Sequence, residues 1–177
     1  MRLFIAINFP QNVLRQLYEI RNMLQIGSIR GSFVPKDNFH LTLTFLGEVE
    51  NPRIYDIEAA MEKLEVSEFN LTVSGLGKFS NSGGDIYWMG VEKSPELINV
   101  QKALSKELEV RSFNVEKRKF NPHLTLGRRV VLREDFALDK LKDSLPEIAF
   151  NVDTLSLMRS DMRPGGASYT EMFCLYF

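Results

Sequence analysis

The chain is poor in cysteine, in long apolar runs and in charge of one sign, and each shortage excludes a class of protein. A single cysteine, Cys174, cannot form an internal disulfide, which excludes the disulfide-rich secreted domains. The 22 basic and 23 acidic residues leave a net charge of −1, which excludes a broad positive field for long nucleic acid. The apolar run at residues 3–7 is too short for a signal peptide or a membrane span, and no later apolar run is long enough to cross a bilayer. We therefore expect a soluble cytoplasmic protein that binds no membrane and grips any nucleic acid locally.

Proline, glycine and asparagine divide the rest of the chain into short segments. Apolar spacing predicts helices at residues 10–25, 52–64, 95–110 and 133–144. Alternation predicts strands at residues 2–8, 39–46, 69–76, 86–91, 115–119, 122–127, 150–158 and 169–177, the last two joined around a Gly165-Gly166 loop. Several strands follow each other directly, which favours an α+β fold with mixed or antiparallel sheets over a doubly wound parallel sheet.

Two histidines are notable because both begin the same tetrapeptide. His40 opens His-Leu-Thr-Leu, and His123 opens it again almost half a chain length later. These are the only two histidines in the sequence. With average residue usage, the chance that a second histidine is also followed by Leu-Thr-Leu is on the order of one in a thousand. A diverged duplication, giving two lobes about a pseudo-twofold axis, is the simplest explanation.

Strand geometry places the polar residues of each tetrapeptide on one face, because side chains alternate along a strand. His40 therefore shares a face with Thr42, and His123 with Thr125. The opposite face of the first copy is apolar and should be buried; it carries Phe39, Leu41, Leu43 and Phe45. If the two lobes face each other, two imidazoles and two hydroxyls line one cleft.

Such a set suits acid–base chemistry at a phosphodiester without a metal. Displacement at phosphorus runs in line, so a base is needed on one side and an acid on the other. Two histidines about a twofold axis are placed in that way, and an ordinary pKa of about 6.5 lets one ring be neutral and the other protonated. The hydroxyls of Thr42 and Thr125 can donate hydrogen bonds to the non-bridging phosphate oxygens. The residues therefore predict a phosphodiesterase.

Basic residues flank the second motif. Residues 117–119 read Lys-Arg-Lys, and Arg128 and Arg129 follow the motif. This cluster either meets an anionic substrate or forms a solvated basic edge. Arg128 is the best candidate for a fork-like phosphate contact. Strict alternation would put it on the face opposite His123, so a bulge or a strand end just after Gly127 would be needed to turn it inward.

Two other interpretations of the histidines remain open. A lone histidine in a strand is usually structural, although identical neighbours at two sites argue against that interpretation here. A metal site is the second alternative, but the two histidines lack the ligand count and the short spacing of usual zinc sites. We therefore expect no metal and no cofactor. Trp88 and most of the 13 phenylalanines are expected in the core, with one aromatic ring available to stack a base.

The paired His-x-Thr-x motifs resemble the signature of the 2H phosphoesterase superfamily. More narrowly, the chain is similar to the bacterial and archaeal RNA 2′,3′-cyclic phosphodiesterase family, also called 2′-5′ RNA ligase. The similarity extends over nearly the whole chain and is most specific around His40; it covers residues 1–6, 34–49, 88–91, 120–128, 160 and 166–169.

The resemblance implies a single domain, residues 1–177, made of two pseudo-symmetric lobes that face a central cleft, with helices outside. It implies hydrolysis of an RNA terminal 2′,3′-cyclic phosphate to a 2′-phosphate end, with RNA ends or cyclic-phosphate nucleotides as partners. We also expect the protein to be a monomer. His40 looks like the proton donor to the 3′ oxygen, and His123 looks like the proton acceptor that activates water. The phosphate contacts implied by the resemblance are Thr42, Thr125 and Arg128.

One position departs from the family pattern. Many relatives carry lysine where this chain has Thr44. Alternation predicts that Thr44 faces the cleft, so the phosphate would be held with less positive charge.

Two further functions stay open at this stage. The first is an enzyme of the same superfamily that acts on another small cyclic phosphate or on a 2′-5′ RNA junction. The second is a non-catalytic module that binds RNA ends, although intact His and Thr in both motifs argue against it.

Overall fold

The computed structural model of the protein describes residues 1–164 and 166–177, in which four α-helices and nine strands are present. The helices are α1 (Gln11–Ile26), α2 (Ile54–Glu62), α3 (Pro95–Val110) and α4 (Leu138–Ser144). The strands are β1 (Arg2–Asn8), β2 (Ser28–Phe33), β3 (His40–Glu48), β4 (Phe69–Phe79), β5 (Asp85–Val91), β6 (His123–Leu132), β7 (Ile148–Val152), β8 (Thr154–Arg163) and β9 (Gly166–Tyr176). Short 3-10 turns at Lys36–Asn38 and Asn51–Arg53 precede β3 and α2.

The strands form two sheets, and each sheet contains one of the histidine motifs. The first sheet has the order β3-β1-β8-β9, and the second has the order β2-β6-β5-β4-β7. Every pairing within the described residues is antiparallel. The predicted α+β class with two facing sheets is therefore confirmed, and the sheets are antiparallel rather than mixed.

Helices cover the outer faces of the sheets. Helix α1 contacts β2 and β7 of the second sheet, while α2 and α3 contact β9 and β3 of the first. Ser94 starts α3 as predicted, because its hydroxyl accepts from the backbone N–H of Leu97 at 3.1 Å and Pro95 occupies the first helical turn. One apolar core joins the two sheets and the helices. The motif leucines lie in this core, which leaves the opposite strand faces to the histidines.

Three predicted elements were wrong in extent or in kind, and one strand was not predicted at all. No strand is present at residues 115–119; Phe113 and Val115 are buried at alternate positions, which imitates a strand pattern. The predicted strand at 150–158 is two strands of different sheets, β7 and β8, separated by Asp153. The fourth helix covers only Leu138–Ser144. Strand β2 was missed because it is almost wholly exposed and shows no apolar alternation.

Two further expectations concern the loop before the last strand and the absence of a membrane-spanning segment. The predicted Gly165-Gly166 loop lies partly outside the described residues, and Gly166 is the first residue of β9. Among the helices that the structure describes, none combines the length and the apolarity needed to cross a bilayer.

Candidate active site

A cavity of about 870 Å³ lies between the two sheets and receives both motifs. The first sheet contributes His40 and Thr42 to its lining, and the second contributes His123 and Thr125. Arg128 also lines it. The structure thus brings all five residues predicted from the sequence to one cavity, whose volume suits a nucleotide rather than a bare phosphate.

Both histidine rings are held in the same way. His40 Nδ1 lies 2.9 Å from the backbone oxygen of Asn38, and His123 Nδ1 lies 2.7 Å from the backbone oxygen of Asn121. A carbonyl oxygen only accepts hydrogen bonds, so each Nδ1 carries the hydrogen and donates it. Each Nε2 is therefore left to accept a proton when its ring is neutral and to donate one when its ring is charged.

The repeat in the sequence is longer than the tetrapeptide. Asn38 and Asn121 each stand two residues before a motif histidine, so both copies read Asn-x-His-Leu-Thr-Leu. Sequence reasoning missed these two asparagines, although the shared spacing was visible in the chain. Their carbonyl groups set the orientation of the imidazoles.

A β-bulge follows the threonine in each motif. On β3, Thr42 lies opposite Ala6 and Thr44 lies opposite Ile5, so Leu43 has no partner of its own. On β6, Thr125 lies opposite Trp88 and Gly127 lies opposite Tyr87, so Leu126 is the unpaired residue. The extra residue shifts the alternation by one position after each motif.

The bulge at Leu126 explains how Arg128 reaches the cavity. With Leu126 and Gly127 both buried, Arg128 is returned to the face that carries His123 and Thr125. The need for a bulge was recognised from the sequence, but the bulge lies just before Gly127 rather than after it. Arg129 then takes a left-handed backbone conformation with φ of 53°, and its guanidinium donates to the Ser32 hydroxyl at 3.3 Å instead.

The same shift on β3 makes two predicted orientations wrong. Thr44 borders the cavity but lies opposite Ile5 on the core face, is only 6% exposed, and its hydroxyl has no hydrogen-bond partner among the described residues. Phe45, expected in the core, is 56% exposed and lines the cavity. Phe45 therefore occupies in the first motif the place that Arg128 occupies in the second.

Aromatic rings surround each imidazole. Phe4 and Tyr169 lie 4.7 and 5.1 Å from the His40 ring, with Tyr169 edge-on at 90°. Phe79 and Trp88 lie 5.5 and 5.9 Å from the His123 ring, both edge-on. Sequence reasoning did not assign these four rings to the site, because they come from neighbouring strands that the motifs do not reveal.

Two side chains on the His40 side of the site have shifted pKa values. Burial lowers the pKa of His40, and the bond to the Asn38 carbonyl partly opposes this effect. Burial raises the pKa of Tyr169, while the nearby Arg128 and Arg2 lower it. Since Arg128 belongs to the second sheet and Tyr169 to the first, the two side chains approach each other across the cleft.

The basic segment before the second motif reaches the cavity only in part. Arg118 and Lys119 line it, and Arg118 pairs with Glu116. Within residues 1–164 and 166–177, no group of three or more His, Cys, Asp or Glu side chains is arranged to hold a metal ion. The expectation of a metal-free reaction stays a prediction that chelation can test.

Comparison with known proteins agrees with this geometry. The sequence profile of the 2′-5′ RNA ligase superfamily matches residues 9–163. The RNA 2′,3′-cyclic phosphodiesterase of Thermotoga maritima is 33% identical over 178 residues, which cover 98% of this chain and 94% of the relative. The enzyme of the same name from Methanothermobacter thermautotrophicus is 30% identical over 97% of this chain and 96% of its own length.

Solved structures show the same fold. Escherichia coli LigT complexed with 3′-AMP has a TM-score of 0.81 at 26% identity, covering 99% of this chain and 97% of that chain. The protein TT0787 of Thermus thermophilus has a TM-score of 0.78 at 26% identity, covering 99% and 97%. The chain belongs to the 2′-5′ RNA ligase superfamily, as the resemblance of its two motifs predicted.

Proposed function

We propose that the cleft hydrolyses the terminal 2′,3′-cyclic phosphate of RNA to a 2′-phosphate end, without a metal or a cofactor. The observation that carries this proposal is the matched pair of imidazoles. Each ring is fixed through Nδ1 by the asparagine two residues before it, and both line one cavity together with Thr42, Thr125 and Arg128. The names of the relatives supply the substrate class.

The two histidines divide the proton transfers between them. His123 Nε2 takes a proton from water as the water oxygen attacks phosphorus, and His40 Nε2 gives its proton to the departing 3′ oxygen. The P–O3′ bond breaks, and the phosphate remains on the 2′ oxygen. This assignment of donor and acceptor follows the family resemblance. Each transfer is typically worth about 10²- to 10⁴-fold in rate.

The remaining polar groups would hold the phosphate between the rings. The hydroxyls of Thr42 and Thr125 donate to its non-bridging oxygens, and the guanidinium of Arg128 adds a charged donor on one side. Phe45 stands at the equivalent place on the other side, so the two halves of the cleft are chemically unequal. This inequality supports a single orientation of the substrate and hence fixed roles for the histidines.

We also infer that residues 1–177 form one 2H phosphoesterase domain of two lobes. The two sheets share one apolar core, which supports a single folding unit. The equal bulges after the two motifs support the duplication inferred from the repeated tetrapeptide.

Turnover of defined substrates tests the proposed function. A short RNA with a 2′,3′-cyclic phosphate end and a cyclic mononucleotide are each incubated with the protein in EDTA, and the product is identified by phosphorus NMR. We expect a 2′-phosphate from the RNA at an undiminished rate. A 3′-phosphate product, loss of activity on chelation, or turnover of the mononucleotide alone would each refute the proposal. Tight binding of the RNA without any turnover would instead support a non-catalytic RNA-end module.

A further inference from the structure

The side chain of Asn38 connects the first motif to a distant hairpin. The backbone oxygen of Asn38 accepts a hydrogen bond from His40 Nδ1. The side-chain Nδ2 of Asn38 donates to the backbone oxygen of Ala167 at 2.7 Å. Ala167 lies on β9, 129 residues further along the chain. One residue thus contacts both the motif imidazole and the hairpin formed by β8 and β9.

The same hairpin supplies the ring that covers His40. Tyr169 follows Ala167 by two residues on β9, so both side chains point to the same face of the strand. Tyr169 stands edge-on to His40 at 5.1 Å and edge-on to Phe4 at 5.1 Å. The Asn38–Ala167 hydrogen bond fixes the position of the start of β9, and this position brings the Tyr169 ring into contact with the His40 imidazole.

The second motif offers a natural comparison. Asn121 holds His123 through its backbone oxygen, as Asn38 holds His40. No hydrogen bond from the Asn121 side chain is found within the described part of the chain. His123 is covered instead by Phe79 and Trp88, which come from its own sheet. A side-chain bond to a separate hairpin is therefore a feature of the first motif.

We propose that Asn38 is a positioning residue for His40: its side-chain amide holds the β8–β9 hairpin in place, so that Tyr169 and the Asn38 carbonyl together fix the imidazole with Nε2 towards the cleft. Asn38 acts on the reaction only through His40. The proposal rests on the proposed function for its kinetic readout but not for its spectroscopic one.

Burial of the imidazole makes the proposal measurable. Burial is the larger influence on the pKa of His40 and lowers it, and the Asn38 bond is the smaller one. The titratable and charged groups that line the cavity with His40 are Tyr169 on β9, Arg2 on β1, His123 and Arg128 on β6, and Glu116, Arg118 and Lys119 before β6. Release of the hairpin should therefore admit water to His40 and move its titration to higher pH.

The test follows both histidines by NMR in the free protein. The chain has only two histidines, so the signals of each imidazole can be assigned with His40→Ala and His123→Ala. We expect Asn38→Ala to move the midpoint of the His40 pH titration to higher pH. Tyr169→Ala, which removes the aromatic ring in contact with His40, should move that midpoint in the same direction. The matched control Asn121→Ala should leave the His40 midpoint unchanged. This readout needs no substrate, so it stands even if the proposed function fails.

Kinetics supply the second readout. On a cyclic-ended RNA, Asn38→Ala should lower kcat by about 10- to 100-fold with a smaller change in KM, because a misplaced catalytic group costs rate rather than binding. Asn38→Asp has the same shape but, when ionised, cannot donate to the Ala167 carbonyl, so it should fail to restore kcat. A His40 midpoint that stays in place in folded Asn38→Ala, or an equal shift in Asn121→Ala, would overturn the proposal.

Discussion

His40 and His123 share their neighbours along the chain but not their surroundings in the cleft. The imidazole of His40 is enclosed by Phe4 and by Tyr169 of the last hairpin, and this burial disfavours its charged form. In its proposed role as proton donor, His40 must nevertheless be charged when the reaction begins. The phosphate anion of the proposed substrate would provide the opposite influence, because a negative charge beside the ring favours the imidazolium.

These opposite effects on the pKa of His40 predict that the pH profiles of kcat and kcat/KM differ. In the free protein the lowered pKa lets His40 lose its proton at a lower pH than an exposed histidine would, and substrate binding moves that pKa upwards. We expect bell-shaped profiles in which the alkaline limb of kcat lies at higher pH than the alkaline limb of kcat/KM. Both profiles are measured on a cyclic-ended RNA. Coincident alkaline limbs would count against His40 as the donor.

Two adjacent arginines, Arg128 and Arg129, allow the proposed phosphate contact of Arg128 to be tested. Arg128 lines the cavity, whereas Arg129 turns away and donates to Ser32. A charged hydrogen bond is worth about 1.5–3 kcal/mol, so Arg128→Ala should lower kcat/KM by roughly 10- to 100-fold. Arg128→Lys should recover only part of this, because an ammonium cannot form the planar fork.

Arg129→Ala serves as the matched control for that measurement. It removes the same charge one position away, so an equal loss in both alanine variants would mean that the general positive field, and not a contact from Arg128, assists the substrate. Steady-state kinetics at two ionic strengths separate the two cases, since a general field weakens with added salt.

At the level of strands, the bulges decide which side chains face the cleft. Each bulge places two consecutive buried residues after the motif threonine, so the next exposed position is Phe45 on β3 and Arg128 on β6. The bulge on β6 is also bonded to the segment that precedes the first motif, because the backbone N–H of Val34 donates to the Leu126 oxygen at 2.9 Å. The segment that leads from β2 to His40 is thereby attached to the second motif.

The position of Trp88, one of the two aromatic rings beside His123, depends on a glycine. The ring of Trp88 lies across Gly77 on the neighbouring strand, and a Cβ at Gly77 would lie 2.3 Å from that ring. Gly77→Ala should therefore displace Trp88, lower the free energy of unfolding by about 1–3 kcal/mol and reduce kcat/KM. Gly83→Ala is the control, since a Cβ there would meet nothing within 4 Å. Equal thermal stability of the two variants in calorimetry would contradict this account of the Trp88 position.

The sequence could predict the polar face of each motif but not the positions beyond it. His40, Thr42, His123 and Thr125 lie before the bulges, where strict alternation holds. A bulge depends on the backbone of the partner strand, which the alternation of one strand does not reveal. For that reason Thr44 and Phe45 were assigned to the wrong faces, and the inward turn of Arg128 could be stated only as a condition.

At the level of the whole molecule, the two sheets share one core and leave one large cavity between their inner faces. The order of helices and strands along the chain was enough to predict the α+β class. Several strands follow each other directly, and such connections are incompatible with a doubly wound fold. This order did not predict that the chain changes sheets at Asp153, since no glycine or proline separates the apolar residues of β7 from those of β8. The monomeric state and the cytoplasmic location remain predictions, which size-exclusion chromatography and cell fractionation would test.

The central claim, that the two motif histidines have opposite proton-transfer roles at a cyclic phosphate, is tested most directly with a substrate whose leaving group needs no proton. Sulfur replaces the 3′ oxygen of the cyclic-ended RNA, and a thiol, with a pKa of about 8.5, leaves as the thiolate without assistance. We expect His40→Ala to lose about 10²- to 10⁴-fold on the oxygen substrate and to recover most of its rate on the sulfur substrate, while His123→Ala stays slow on both. Recovery by His123→Ala, or by neither variant, would contradict the account.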